Sequence, residues 1–312
     1  MADTALPAFL PLTPRYHARV WGGHLLAPPT EDGTPIGEAW LADGESVVAS
    51  GPGEGRTVNE LLREHGAALL GAGRDTEAGF PLLLKLLDCA DWLSVQVHPD
   101  DEQARRLVAP DARGKTEAWH FLQAAPDAEI IAGVQGGVSA LQLAAAIHAG
   151  EVLPLTQRHR VRAGDTAFIP AGTLHALGPG LVLLEIQQAS DTTYRVYDWD
   201  RPASAGRGLH LKEAADVTNP ASHGDLRSGA DSAAGDELVR CPQFVLRRAE
   251  AGSALDTQGA SAQLVMAVEG ELILRCPGAR TLLPPHRAVL VPAATGGCRL
   301  AGAGWALVAS LP

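Results

Sequence analysis

The stretch Gly164-Asp165-Thr166-Ala167-Phe168-Ile169-Pro170-Ala171-Gly172-Thr173-Leu174-His175 spells G-x5-P-x-G-x2-H, the sharpest local pattern in the chain. Gly164 opens one turn, Pro170 and Gly172 shape a second, and Thr166–Ile169 between them reads as a short strand. His175 follows in an extended segment. Outward from it the same texture continues, as short apolar runs bounded by Gly and Pro. These predict strands at Leu82–Leu87, Leu93–His98, Thr116–Leu122, Leu181–Gln187, Tyr194–Tyr197, Phe244–Arg247, Leu264–Val268, Leu272–Arg275 and Ala288–Val291, with a tight turn over Val268–Leu272. Three segments predict helices. Capping-box patterns start one at Thr57, running to near Gly71, and another at Ser139, stopping at Gly150; Asp100 precedes a short polar one through Leu107. Many short strands separated by turns predict an antiparallel sandwich or barrel. No G-x-G-x-x-G follows a strand to open a helix, which argues against a nucleotide-binding α/β sheet.

Composition narrows the class. The 312 residues suggest two domains, or one large domain with an appendage. Hydrophobic residues at 46% against 20% charged supply a core and exclude global disorder. A net charge of -11 argues against nucleic acid or an anionic membrane as partner, so a phosphorylated substrate needs a local basic pocket. No apolar run reaches the ~18 residues of a membrane span, and Met1–Leu12 lacks the basic start of a signal peptide. The four cysteines form no C-x-x-C pair and read as reduced thiols of a cytoplasmic protein.

Candidate chemistry gathers on strand faces. In Trp92–His98 the side chains alternate, so Ser94, Gln96 and His98 share a face opposite Leu93, Val95 and Val97. A polar face within an apolar protein requires partners, water or a metal. Lys115 and Glu117 share a face, as do Leu183, Glu185 and Gln187. Taken alone, such pairs also describe a solvated sheet face. The G-x5-P-x-G-x2-H stretch resembles the second motif of the cupin superfamily, whose jelly-roll barrels bind a metal through such a histidine, although Pro179 stands where the usual asparagine falls. The other nine of the 11 histidines, His210 among them, read as surface or satisfied core residues.

Several phrases in order carry a narrower resemblance: RVWGG (19–23), LSVQVHPDD (93–101), GKTEAW (114–119) and IPAGTLHALGPGLVLLEIQQASDTTYRVYDWDR (169–201). Over roughly Phe9 to Leu211 the chain resembles the type I mannose-6-phosphate isomerase family, closest to its short bacterial class. The resemblance implies a mainly β fold of two cupin jelly-roll barrels with a few short helices. The implied division is a catalytic metal-binding domain over 1–218, a linker or exposed loop over 219–237, and a degenerate cupin-like domain over 238–312 without the metal motif. It implies one divalent metal per chain, Zn2+ by preference, held by His98, Glu117 and His175 with Gln96 completing the set. Arg195, Lys115 and Glu185 fall on the family's catalytic positions. Ser94 falls near the phosphate, and Arg201 stands where longer members place a phosphate-binding lysine.

The implied reaction moves a carbonyl between C1 and C2 of a sugar phosphate through a cis-enediol. It needs a charge-stabilising cation, for which Arg195 is suited, and a proton carrier, for which Lys115 and Glu185 both remain open. The implied partner is a small sugar-phosphate substrate, with no nucleic acid and no membrane, in a monomer or weak homo-oligomer. A metal-dependent oxygenase and a catalytically inert sugar-phosphate sensor are the alternatives.

Overall fold

The computed structural model describes residues 6–202, 208–231 and 237–312. Thr57, Asp100 and Ser139 each close a capping box, with Glu60, Gln103 and Gln142, and start the helices Val58–His65, Asp101–Leu107 and Ala140–Ala149. The first stops at Gly66, whose φ of 49° admits no easy continuation; a separate turn, Ala67–Leu70, then runs to Gly71. A further helix, Leu211–Val217, has no side-chain cap and left no signal in the sequence.

The rest of the regular structure is mostly strand, as the turn-punctuated pattern implied. The expected barrels, however, do not close: the described strands pair into three open sheets. Closure would require the two outer strands of a sheet to pair, and here they stay apart. The outer edge of Tyr194–Tyr197, for example, is met by the backbone of His210 instead of another strand.

The chain divides into two compact units, residues 1–15, 39–86 and 231–312 in one and residues 16–38 and 87–230 in the other. The first holds an eight-stranded sheet whose central strands, Gln263–Cys276 and Gly297–Ser310, are each 14 residues long. The turn expected at Val268–Leu272 is absent. Gly270 (φ 86°) lies opposite Gly304 (φ 116°), next to a register shift at Ala267/Glu269, so the glycine serves a bulge within one continuous strand. A Cβ there would come within 2.0 Å of the Ala303 carbonyl oxygen.

The second unit contains the sequence motifs. Its five-stranded sheet runs in the order Tyr194–Tyr197, Val95–Val97, His175–Leu177, Glu129–Val134, Thr156–Arg160. A second sheet places Asp225–Arg227, Thr166–Ile169, Glu117–Ala124 and Leu181–Gln188 side by side. Asp225–Arg227 lies inside the Ser/Ala/Gly-rich stretch, of which residues 232–236 are outside the described set. Trp119, Phe121, Ile130, Leu177 and Leu183 pack between the two sheets. On the far side of the five-stranded sheet, Val95, Val97, Ala176 and Val196 pack with Leu143, Ile147, Ala214 and Val217 of two helices. The sheet is thus apolar towards its helices and mixed towards its partner sheet.

Candidate active site

That mixed face carries the chemistry. Val95 and Val97 point to the helices, so alternation sends Gln96 the other way, together with Ser94 and His98 at the strand's ends. Leu93 departs from the expected alternation and joins the cluster between the sheets, because it precedes the regular strand. His175 pairs with Gln96 from one side and Arg195 pairs with it from the other. Arg195, Gln96 and His175 therefore form a row across three strands, about 4.8 Å per step.

The second sheet supplies the opposing groups. Glu117 pairs with Gln187, and two residues on, Trp119 pairs with Glu185. Glu117 Oε1 lies 3.3 Å from His175 Nε2, and its Oε2 lies 3.5 Å from His98 Nε2. One potential ligand atom from each of these three buried residues falls within 4.8 Å of the others. Both imidazoles are aimed from behind. His98 Nδ1 bonds the Thr192 carbonyl at 2.9 Å, and His175 Nδ1 bonds the Thr173 carbonyl at 2.8 Å. A proton committed to Nδ1 leaves the Nε2 lone pair facing Glu117. Burial also pushes the His175 pKa down to about 4, so the ring is neutral at neutral pH.

Two imidazoles and a carboxylate, converging, with each ring oriented through its second nitrogen, fit a divalent ion of the Zn2+ class. Gln96 stands next to them: its Nε2 is 3.3 Å from His175 Nε2 and its Oε1 accepts from Ser94 Oγ at 3.1 Å. Ligation through the amide oxygen would require the amide to turn over, after which the Ser94 hydroxyl can accept instead of donate.

Lys115 reaches the same point. Its side chain is buried, Nζ donates to Glu117 Oε2, and it lies 3.0 Å from His98 Nε2. Its backbone is held by Pro99 O, and the next residue, Thr116, donates its N–H to Gln188 Oε1. Glu185 is 4% exposed and its Oε2 accepts from Trp119 Nε1 at 3.0 Å; the Trp119 ring meets His175 edge-on at 5.6 Å between centroids. Arg195 is half-buried. Its Nε donates to Ser94 Oγ at 3.2 Å and one terminal nitrogen donates to Gly208 O at 2.9 Å.

Of the residues singled out in the sequence, the structure brings together His98, Glu117, His175, Gln96, Lys115, Ser94 and Arg195 in one chain of contacts, with Glu185 joined through Trp119. Arg201 is engaged elsewhere, donating to Asp198, Asp91 and the Trp92 carbonyl. Sequence reading passed over Trp119, which the i, i+2 spacing from Glu117 would have placed on the same face. It had no means of finding Thr173 and Thr192, which act through backbone carbonyls.

Fold and site define a mainly β protein with a buried histidine–glutamate–histidine centre suited to a divalent metal. Residues 9–120 match the family model for the catalytic domain of phosphomannose isomerase type I. The chain is 37% identical over 278 residues to a mannose-6-phosphate isomerase of Streptococcus mutans, covering 85% of each. It is 38% identical over 271 residues to the mannose-6-phosphate isomerase ManA of Bacillus subtilis, covering 83% of this chain and 84% of that one. The crystal structure of the mannose 6-phosphate isomerase from Bacillus subtilis superposes with a TM-score of 0.85 at 31% identity, over 97% of this chain and 99% of the other. The chain belongs to the type I phosphomannose isomerase family.

Proposed function

We propose that the chain interconverts mannose 6-phosphate and fructose 6-phosphate, using one divalent metal ion, Zn2+ by preference, held by His98, Glu117 and His175 with Gln96 as fourth donor. The observation that carries this reading is the convergence of those ligand atoms within 4.8 Å in a chain of this family. The metal, when bound, supplies Lewis acidity and a template for the sugar oxygens. Lys115 and Glu185 are the proposed proton carriers between C1 and C2. Lys115 is the nearer to the ligand atoms, and its four-carbon stem gives the amine reach to a substrate lying on them. Trp119 holds Glu185 by a hydrogen bond to its carboxylate, fixing the direction in which a proton passes. Arg195, one strand from Gln96, offers its guanidinium to the oxygen that turns negative as the enediol forms.

Ser94 and Arg201 are the proposed phosphate contacts. Ser94 already joins Arg195 to Gln96, and Arg201 would exchange an acidic partner for phosphate. All these residues lie within 1–218, the segment proposed as catalytic, with 238–312 as a degenerate second module. The free cysteines accord with the proposed cytoplasmic setting. No helix among the described residues is long and apolar enough to cross a membrane.

A coupled assay for fructose 6-phosphate formation, run on chelator-stripped and Zn2+-restored protein, tests the reading. Activity that disappears on stripping and returns with metal supports it. Full turnover by stripped protein, or none by restored protein, overturns it.

A further inference from the structure

We infer that His210 is a positioning residue for Arg195, acting on the arginine's backbone and not on substrate. The inference rests on the proposed role of Arg195 in the isomerase reaction. Among the described residues, Tyr194–Tyr197 is the outermost strand of the five-stranded sheet, paired only on the side of Val95–Val97. Arg195 N–H and C=O point the other way. The N–H donates to His210 Nδ1 at 3.2 Å, and the C=O accepts from the His210 backbone N–H at 2.8 Å. Arg195 and Gln96 are therefore a non-hydrogen-bonded pair, the arrangement in which facing side chains approach most closely. A register shift follows directly, between Arg195 and Tyr197. The strand is thus least regular at the residue whose placement the reaction depends on most.

His210 makes up for that irregularity from both directions. It copies what a neighbouring strand would do, with an imidazole nitrogen in place of a carbonyl. Gly208, two residues earlier, accepts the Arg195 guanidinium at 2.9 Å, so one short segment holds both the backbone and the head of the arginine. That segment is anchored in turn. The helix Leu211–Val217 starts at once, and its Ala214 and Val217 pack in the same cluster as Tyr194 and Val196. Because Nδ1 accepts, the ring proton sits on Nε2, and the requirement is for an acceptor at that one atom. A misplacement on the order of 1 Å at a positioned group can cost ~100-fold in rate, which sets the scale of what losing this clamp would do.

The test uses zinc-loaded full-length protein and the variants His210→Ala, His210→Asn, His210→Gln and Arg195→Ala, with metal content, melting temperature, kcat and KM for each. The inference expects His210→Ala to keep its metal and lose roughly 10- to 100-fold in kcat with KM changed only a few-fold. Asparagine, whose Oδ1 falls near the position of Nδ1, should recover kcat to within about threefold of the parent, while glutamine, with its oxygen one bond further out, should not. Amide exchange at Arg195, read by NMR, should speed up in His210→Ala and slow again in His210→Asn, whatever the activity. Parent-like kcat in His210→Ala beside a crippled Arg195→Ala overturns the inference alone, as does an asparagine variant no better than alanine in both kcat and exchange. A parent-like Arg195→Ala overturns the reading of Arg195 itself.

Discussion

Replacing Lys115 with methionine separates the metal-free from the metal-loaded protein in a way no surface change would. Lys115 and Glu117 form a buried pair, with side chains 5% and 1% exposed, and His98 Nε2 lies 3.0 Å from the same ammonium. A divalent ion bound by Glu117 and the two histidines would take over the charge that the ammonium now supplies. The two cations compete for one carboxylate. Removing one partner of a buried ion pair costs about 3–5 kcal/mol, because the other charge stays behind. At about 2 °C per kcal/mol for a chain of this size, metal-free Lys115→Met should melt roughly 6–10 °C below the metal-free parent. With Zn2+ bound, Glu117 regains a counter-charge and the variant should melt within about 2 °C of the loaded parent, since methionine keeps most of the lysine stem's packing. Differential scanning calorimetry on chelated and zinc-loaded samples reads both numbers. The metal-induced rise in melting temperature should therefore be larger in Lys115→Met than in the parent. Equal destabilisation of both forms, or none in the metal-free form, would refute the competition argument.

Three further outcomes follow from particular contacts. In deuterated solvent, Lys115→Ala or Glu185→Gln, whichever removes the proton carrier, should stop exchange at substrate C2 while leaving the melting curve of the loaded protein cooperative; parent-rate exchange clears that residue of the role. Thiol labelling at pH 8 should modify Cys276 first: it is only partly buried, whereas burial pushes Cys298 up to about 11 and raises Cys89 and Cys241 as well, so those three carry little thiolate. Peptide mapping that finds Cys298 labelled before Cys276 would contradict this. Ser139→Ala removes the hydroxyl that caps Ala140–Ala149 and should cost about 1 kcal/mol in denaturant unfolding, with no change in kcat.

The sequence disclosed most where one residue's chemistry is fixed by its neighbours in the chain. Alternation in Ser94–His98 put the polar atoms on one face, and the structure shows why that face is tolerable, since both histidines and Gln96 are hydrogen-bonded there. Two of the three capping boxes, at Thr57 and Ser139, were legible because a cap is a contact between residues three apart, while the one Asp100 makes with Gln103 emerged only in the structure. What stayed hidden is non-local. Nothing near Arg195 announces that residue 210 will complete its strand edge, and Leu211–Val217 forms because its apolar face meets a sheet, without a cap of its own. Gly270 misled for a related reason. A glycine between apolar runs signals a hairpin turn or a bulge equally well, and only the glycines opposite it in Gly297–Ser310 decide for the bulge. The open sheets were likewise beyond reach, since closure depends on which edges meet. At Arg201 the charge was legible, but its pairing with Asp91 and Asp198 was not.

The central claim is that His98, Glu117 and His175 together hold the metal that the reaction uses. Elemental analysis of the purified parent, His98→Ala, Glu117→Gln and His175→Ala, each loaded with Zn2+ and desalted, tests it most directly. The parent should carry close to one metal ion per chain and each variant a small fraction of that, with fructose 6-phosphate formation falling in proportion. Full metal retention in all three variants would contradict it.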